Sequence, residues 1–488
     1  MQRASEKYLA YLDAMQDMVR DRIRNTETKV SFKGTAYYVS EIGNDDNDGL
    51  SPDTPWKTPE RVSKATLSYG DAVFFKRGEI FRGHIDAQEG VTYSAYGEGK
   101  KPEIYGWYEN FGGADNWECI DEEKHIWRLK KEIPDTGTLV FNDGEAHAIK
   151  LVPSFVGGKF VIRDKHDTDF VFENEATVNL AFHQACVKEM VNGVPNISPS
   201  CTNTGYVIIR SDEGNPGALY ESIEILPKRN TFSCGGRKNI TIDNLCIKYC
   251  GAHGVGAGTI EGLTVQNCEF GWIGGAIQHY NHGNPARIGY VTRYGNAVEI
   301  YGGCKNYTVD NCYFYQVYDA AITHQVDSSG RYLEMNNIRY TNNLIETSTY
   351  SIEYFLSFSD IADNKSFMRN VYIGGNFMID CGYGWGKQRY NPETPAHVKS
   401  WNSQNPAENY VIENNIFCRS SHDLLQIGCI NREGVPVMRG NIYLQKEGGS
   451  FGNVAVNPPQ PRQAYVDARE ITIRKGLGDE TAEVYFID

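Results

Sequence analysis

The sequence contains no run of the roughly 18–20 consecutive apolar residues that a membrane-spanning helix needs, so we expect no membrane partner. Residues 1–25 also lack the apolar central block of a secretory signal. From this we expect a cytoplasmic protein, whereas a leader trimmed from the N-terminus would make it secreted. The apolar residues of this segment recur at helical spacing between charges, which predicts an amphipathic capping helix over residues 1–35. They are Tyr8, Leu9, Leu12, Met15, Val19 and Ile23.

Cysteine pairs at zinc-ligand spacing are missing too. Cys246, Cys268 and Cys312 lie in apolar, strand-like runs, which indicates buried, reduced thiols. Acidic residues outnumber basic ones by 62 to 48, and the formal net charge of −14 argues against nucleic acid as a partner. The sequence also shows no phosphate-binding glycine loop, Ser-His-Asp order or reactive-cysteine signature.

An imperfect repeat fills the second half of the chain. Pairs of Asn five residues apart enclose alternating apolar residues, and the pairs return at a period of about 20–25 residues that is widened by loops. Strand-like alternation with Gly and Asn at the turns predicts a β-solenoid rather than a helical array. The pairs are Asn239/Asn244, Asn306/Asn311, Asn337/Asn342 and Asn409/Asn414, with degenerate copies at Gly262/Asn267 and Asn370/Gly375.

Asn suits the corners of such coils because it tolerates a left-handed backbone and its amide can bond neighbouring backbone groups. One place after the corner, Asn343, Asn376 and Asn415 recur. We expect these three amides to stack as an internal ladder.

Longer segments resemble right-handed parallel β-helix proteins of the pectin-lyase-like superfamily. They include YYVSEIGNDDNDGLSPDTPWKTPERV, GDAVFFKRGEIFRGHI and VTYSAYGEGKKPEIYG near the N-terminus, then NITIDNLCIKYCGAHGVG, YGNAVEIYGGCKNYTVDNCYFYQVYDAAITHQ and GYGWGKQR. The resemblance covers about residues 36–107 and 229–445, and it implies an all-β, right-handed parallel β-helix. It is a poor guide to the reaction, because the superfamily holds glycoside hydrolases, polysaccharide lyases, epimerases and phage tailspikes.

The domain organisation follows from where the repeat is present and where it stops. We expect first β-helix coils at 36–107, an inserted β-rich module at 108–228, the main parallel β-helix at 229–463 and C-terminal cap strands at 464–488.

Five-residue windows that share a pattern are expected to stack from coil to coil. They begin at Ala276, Ala297, Ala321, Ser351 and Gly384. Side chains alternate across a strand, so if the second residue of each window faces the interior, the third and fifth face out. The third positions give an outer column of Gln278, Glu299, Thr323, Glu353 and Gly386, and the fifth positions give Tyr280, Tyr301, Gln325, Phe355 and Gln388.

Two carboxylates of this outer column and Asp319, which precedes the Thr323 strand, are the candidate catalytic residues. Glycoside hydrolysis needs one protonated carboxyl to assist the leaving group and a second as base or nucleophile. We expect two of Glu299, Asp319 and Glu353 to form that pair, in a hydrolase that needs no cofactor or metal. The stereochemical outcome stays open, because side-chain lean spans retaining and inverting separations.

Residues around these acids are expected to bind an oligo- or polysaccharide, some from the columns and some from loops that follow the strands. They are Gln278, His279, Tyr280, Tyr301, Thr323, His324, Gln325, Tyr354, Trp385, Lys387, Gln388, Arg389 and Trp401. His279 and His324 share an inward phase and fit satisfied core or rim histidines better than metal ligands.

Two other functions remain open from the sequence. In a polysaccharide lyase the carboxylates would hold Ca²⁺ against a uronate, and Lys387 or Arg389 would abstract the proton. In a tailspike-like protein the same surface would bind saccharide without turnover. The oligomeric state has no signal in the sequence.

Overall fold

The computed structural model describes residues 2–156, 159–163, 178–184, 186, 189–191, 194–196, 204–280, 291–327, 331–357, 366–388, 395–401, 407–429, 435–456, 463–464 and 479–487. In this part of the chain three long sheets run side by side, and a coil visits each in turn. One such coil consists of Cys304–Asp310, Tyr313–Val317 and Ala320–Asp327. Apart from one short terminal strand, all pairing within these sheets is parallel, which confirms the predicted parallel β-helix. The expected right-handed sense is the one that crossovers between parallel strands almost always take.

The three sheets are named here in the order in which a coil meets them. Sheet 1 contains Ala36–Val39, Ala72–Lys76, Thr92–Tyr96, Lys238–Asp243, Ile260–Gln266, Cys304–Asp310, Glu334–Thr341, Phe367–Gly374, Ala407–Glu413 and Val437–Arg439. Sheet 2 contains Ile80–Arg82, Glu103–Tyr105, Cys246–Cys250, Glu269–Ile273, Tyr313–Val317, Leu344–Glu346, Phe377–Cys381, Ile416–Ser420, Ile442–Lys446, Glu483–Ile487 and Gln2–Arg3. Sheet 3 contains Ile85–Asp86, Phe232–Gly235, Val255–Ala257, Val298–Ile300, Ala320–Asp327, Tyr350–Ser357, Ala396–Ser400, Asp423–Cys429, Ser450–Val456 and, antiparallel, Gln463–Ala464.

The Asn pairs stand at the corners that the sequence predicts. Asn306, at the start of one pair, has a φ of +54°, and Asn311, at its end, has a φ of +51°. Asn tolerates this left-handed region better than most residues, because its short polar side chain can bond locally. Successive corner amides also bond each other, as in the 2.7 Å contact from Asn337 Nδ2 to Asn306 Oδ1.

The internal amide ladder is present and is longer than expected. Asn343 Nδ2 donates to Asn376 Oδ1 at 2.9 Å, and Asn376 Nδ2 donates to Asn415 Oδ1 at 2.9 Å. The ladder then continues through Asn441 to the carboxylate of Asp479. Each Oδ1 of the three expected residues also accepts a backbone N–H from the coil before it, so these buried amides leave few polar groups unsatisfied.

The interior of the coils is one continuous hydrophobic core, built from the inward residues of all three sheets. Phe270 and Phe314, on successive coils, stack with ring centroids 5.0 Å apart. The expected buried thiols belong to the same interior, since Cys246, Cys268 and Cys312 are all buried. Burial raises the pKa of the Cys246 and Cys312 thiols well above the usual value, so both stay protonated at neutral pH.

The predicted N-terminal helix spans Glu6–Arg24 and begins at Ser5, whose side chain accepts the N–H of Tyr8. Its apolar side packs on the outer face of sheet 2, against Leu344, Phe377 and their neighbours. Near its C-terminal end, Arg24 binds both carboxylate oxygens of Glu269, at 2.8 and 3.0 Å. No helix in the described ranges is long and apolar enough to cross a membrane.

Among the described residues two further helices are short, Pro59–Lys64 and Pro216–Leu219, and three 3₁₀ turns lie at Ala114–Asn116, Asn142–Gly144 and Trp385–Gln388. The acidic loop after the strand Ala36–Val39 holds the start of the Pro59–Lys64 helix. Asp45 accepts the N–H groups of Lys57 and Thr58 at 2.8 and 2.9 Å, and so fixes the turn that precedes the helix.

The described residues between Tyr105 and Phe232 leave the coils and form mainly antiparallel sheets with a core of their own. One sheet has five strands, Trp117–Asp121, Ile126–Leu129, Ile149–Lys150, Ala181–Gln184 and Val207–Arg210. A second sheet has three strands, Thr136–Phe141, Ala146–His147 and Ile223–Pro227. Two-stranded pairs are formed by Ile133–Pro134 with Thr204–Gly205, Val152–Val156 with Lys159–Arg163, and Glu189–Val191 with Val194–Asn196.

A second excursion occurs where the sequence predicts a regular coil. Ala276–Tyr280 pairs antiparallel with Val291–Tyr294 in a separate hairpin, outside sheet 3. Gly274 and Gly275 carry the chain out of the coil with φ values of +96° and +85°, and Gly295 returns it with a φ of +133°. A side chain on Gly295 would lie 2.2 Å from the backbone of Gly274, so the exit and the return can pass each other only as glycines.

Candidate functional site

A cleft of about 810 Å³ opens over the outer face of sheet 3, between this sheet and the hairpin. The three predicted catalytic carboxylates, Glu299, Asp319 and Glu353, all line it. They come from three successive coils, because Val298 pairs with Ile322 and Thr323 pairs with Glu353. Each side chain is less than a tenth exposed, at 5%, 8% and 5% in chain order.

Glu299 is held by three side-chain donors. Asn296 Nδ2 lies 2.6 Å from Oε2, Thr323 Oγ1 lies 2.5 Å from the same oxygen, and Gln325 Nε2 lies 3.1 Å from both oxygens. An ionised carboxylate accepts from all of these groups at once, whereas a protonated one would have to donate at one oxygen. This cage of three donors therefore holds the Glu299 carboxyl group in a fixed orientation.

Asp319 is positioned by the coil that follows Glu299. Its backbone carbonyl accepts the N–H groups of Thr349 and Tyr350, both at 3.1 Å. The next residue, Ala320, donates its N–H to Asn296 Oδ1 at 2.8 Å. Since the same Asn296 amide also donates to Glu299, one side chain ties the backbone beside Asp319 to the Glu299 carboxylate.

Glu353 lies one coil beyond Thr323 in the column. Trp401 Nε1 donates to its Oε1, and both residues line the cleft. On the next strand its register partner is Lys399, whose ammonium lies 4.2 Å from the Trp401 ring centre. The outer column thus reads Gly256, Glu299, Thr323, Glu353 and Lys399.

Tyr301 and Phe355 form an aromatic wall two positions along the same strands. Tyr301 is 51% exposed in the cleft, and its ring meets Phe355 edge to face with centroids 6.3 Å apart. Gln325 lies between them in the register, as expected for the fifth column. Exposed aromatic faces beside hydrogen-bonding groups suit amphipathic ligands such as sugars.

The hairpin supplies the opposite wall, although not in the way that the sequence predicts. Gln278 and His279 line the cleft, but they belong to the hairpin and not to the coil stack. Tyr280 does not reach the cleft, because it packs among Val152, Ile277 and Val291. The register partner of Glu299 on the preceding coil is Gly256, so the predicted stacking of the Gln278 window was wrong.

The window that begins at Gly384 was also placed wrongly. Its residues form the 3₁₀ turn Trp385–Gln388, and the strand stacked after Glu353 is Ala396–Ser400 instead. Trp385 is buried against Tyr318 and donates Nε1–H to the Gln316 carbonyl at 2.7 Å. Two residues of the turn also miss the cleft, since Lys387 is exposed outside its lining and Gln388 binds backbone groups of the inserted module. Arg389 lies outside the described residues.

His324 and Tyr354 face the interior and cannot contact a ligand in the cleft. Their rings stack with centroids 5.5 Å apart, and His324 Nδ1 lies 2.8 Å from the Tyr340 hydroxyl. Burial lowers the pKa of His324 to about 3, so its ring is neutral at physiological pH. This outcome agrees with the inward phase and corrects the substrate-binding role.

Sequence reasoning missed His253 and Asn296, which also line the cleft. His253 Nδ1 accepts the backbone N–H of Asn296 at 3.1 Å, and its ring packs edge to face on Tyr294. The signal was available in the sequence, because aligning Val255 with Val298 places His253 beside Asn296. The sequence of the hairpin segment resembles the coil windows more closely than the Val255 segment does, so the hairpin segment was predicted to be the coil before Glu299.

The described residues include no group of three or more His, Cys, Asp or Glu side chains placed to hold a metal ion. What the cleft offers is one caged carboxylate, two further carboxylates and an aromatic wall. Such a set can transfer protons and stabilise a developing positive charge.

No family model matches the sequence, and no curated protein matches it either. Solved structures are similar at low identity. A GH136 lacto-N-biosidase from Eubacterium ramulus is 14% identical, with 99% of this chain and 71% of that chain covered and a TM-score of 0.41. XylC in complex with xylose is 13% identical, covering 93% and 83%, with a TM-score of 0.43. A family 28 exopolygalacturonase from Yersinia enterocolitica is 11% identical, covering 89% and 77%, with a TM-score of 0.29.

Proposed function

We propose that the protein is a glycoside hydrolase, which cleaves a glycosidic bond in an oligo- or polysaccharide with two carboxylates as acid and base or nucleophile. The observation that supports this is the convergence of Glu299, Asp319 and Glu353 on one cleft beside Tyr301. Scattered surface acids would face solvent, whereas these three are nearly buried around a space large enough for sugar units.

The cage of donors suggests one of the roles. Glu299, which three side chains hold in a fixed orientation, is our candidate for the base or nucleophile. The proton donor is then Asp319 or Glu353. Two coils separate the backbones of Glu299 and Glu353, a distance of about 10 Å, and Asp319 lies on the coil between them.

The test is hydrolysis of a panel of aryl glycosides and oligosaccharides by the wild type and by Glu299→Gln, Asp319→Asn and Glu353→Gln. Loss of the base or the acid should lower kcat by about 10²–10⁴-fold. The acid variant should keep most of its rate on substrates with a highly activated leaving group, since these need no protonation. The Glu299 variant should lose activity on both kinds of substrate and regain some with azide.

Glu261→Gln is a matched control, because Glu261 is an exposed acid on sheet 1 that pairs with Lys238 at 2.9 Å. It should hydrolyse at the wild-type rate. Full activity in all three cleft variants would overturn the proposal. An unsaturated product, detected by its ultraviolet absorbance, would show that the reaction is elimination and not hydrolysis. The structure gives less support to elimination, because Lys387, one of the two lyase bases expected from the sequence, lies outside the cleft lining.

A further inference from the structure

His253 is fixed in the cleft by contacts on several sides. It lies in the turn between Cys246–Cys250 and Val255–Ala257, one coil before Glu299. Its backbone N–H donates to Asn230 Oδ1 at 3.1 Å, and its carbonyl accepts the N–H of Thr231 at 3.1 Å. These contacts fix the backbone that carries the ring, so this backbone needs no rearrangement before a ligand binds.

The contact with Asn296 determines which ring nitrogen carries the proton. Nδ1 accepts a backbone N–H at 3.1 Å, so it must present a lone pair. A neutral imidazole then has its single hydrogen on Nε2. Burial lowers the pKa of His253, although Glu299 opposes this, so the neutral form is the one present at physiological pH.

Nε2–H has no acceptor among the described residues, while the ring lines the cleft. The same Asn296 that holds Nδ1 also donates from Nδ2 to Glu299 at 2.6 Å. The histidine donor and the carboxylate are therefore held in one fixed relation, through a single intervening residue. Both side chains line the same cleft, on neighbouring coils.

We propose that His253 is a substrate-contacting residue that donates its Nε2–H to a hydroxyl of the sugar bound over Glu299. This rests on the proposed glycoside hydrolase function. A sugar lacking that hydroxyl would leave the donor unsatisfied, so His253 would select which sugar enters the subsite.

The first test is the tautomer, measured by long-range ¹⁵N–¹H correlation on the wild-type protein at pH 7. We expect the Nε2–H form for His253. An Nδ1–H form or an imidazolium would overturn the proposal.

The second test compares His253→Ala and His253→Gln with the wild type on aryl glycosides of glucose, galactose, xylose and rhamnose, and on their monodeoxy analogues. His253→Ala should lower kcat/KM by about 10–100-fold on the sugar that is turned over best, the effect of one lost hydrogen bond. The loss should vanish on one monodeoxy analogue, and Gln, which keeps a donor, should restore part of the activity. An equal loss on every analogue would indicate a merely structural role and overturn the proposal.

A control and a binding measurement separate this proposal from the proposed function. His125→Asn changes an exposed histidine with a φ of +56°, which Asn tolerates, and should behave as wild type. If the wild type binds these sugars without hydrolysing them, the hydrolase proposal fails. Dissociation constants then replace kcat/KM, and the role of His253 is decided by whether the loss of affinity in His253→Ala vanishes on one monodeoxy analogue. If the wild type binds none of them, both proposals fail.

Discussion

Replacement of one ladder amide should destabilise the protein far more than replacement of a corner amide on the same coil. Asn376 is 1% exposed, and its Oδ1 accepts both the backbone N–H and the Nδ2–H of Asn343. Its own Nδ2 donates to the Tyr340 carbonyl at 3.0 Å and to Asn415 Oδ1. Asn376→Ala removes all four contacts and strands at least the buried N–H of Asn343.

The magnitude follows from these contacts. A stranded buried group costs about 1–3 kcal/mol and each further lost hydrogen bond about 1 kcal/mol, so we expect a loss of about 3–5 kcal/mol. The control is Asn370→Gly, at an exposed corner with a φ of +53°, where glycine keeps the backbone conformation and the change should cost less than about 1 kcal/mol. Urea unfolding followed by circular dichroism measures both variants. Equal midpoints would refute the conclusion that the buried ladder, rather than the corners, holds the coils in register.

Three further outcomes are expected. Burial lowers the pKa of His324 to about 3 and of His397 to about 4, from an unfolded value near 6.5, so the unfolded chain alone binds these protons as pH falls. The contribution of each histidine to the free energy of unfolding should therefore be full above about pH 6.5 and fall below it by up to about 1.4 kcal/mol per pH unit, and His324→Gln should make the slope shallower by up to that amount in urea titrations at pH 7, 6 and 5. Thr323→Val removes a donor from Glu299 and should lower kcat about tenfold; it also leaves the buried N–H of Ile300 without its acceptor, so the melting temperature should fall as well. Tyr301→Ala should raise KM more than it lowers kcat, since under the proposed function the exposed ring lines the cleft to bind the sugar and takes no part in bond cleavage.

The repeat and the outward columns could be predicted because they depend on local rules. An Asn at a corner needs only its own backbone conformation, and alternation along a strand fixes which side chains share a face. The alternation that places Glu299 and Glu353 on the outer face also places His324 in the interior, and the structure shows all three side chains in these positions. Adding His324 to the binding residues contradicted that phase.

The hairpin and the 3₁₀ turn could not be recognised from such rules. The windows at Ala276 and Gly384 carry coil-like letters, but close packing between distant segments decides their path. Gly274 and Gly295 cross at near contact, and a side chain on Gly384 would lie 2.1 Å from the Thr347 carbonyl oxygen. A strand pattern tolerates glycine, yet at these glycines the chain leaves the regular coil.

The anomeric configuration of the product should identify which carboxylate works with Glu299. Neighbouring coils are about 4.8 Å apart along the backbone, so the coil spacing sets the starting separation of two acids and the lean of their side chains adjusts it. Asp319 lies one coil from Glu299, which suits the roughly 5–5.5 Å of retaining enzymes. Glu353 lies two coils away, nearer the roughly 6.5–9.5 Å of inverting enzymes. Retention, observed by NMR of the first product, should therefore accompany loss of activity in Asp319→Asn, and inversion should accompany loss in Glu353→Gln; the crossed result would contradict the assignment of the acid from its coil.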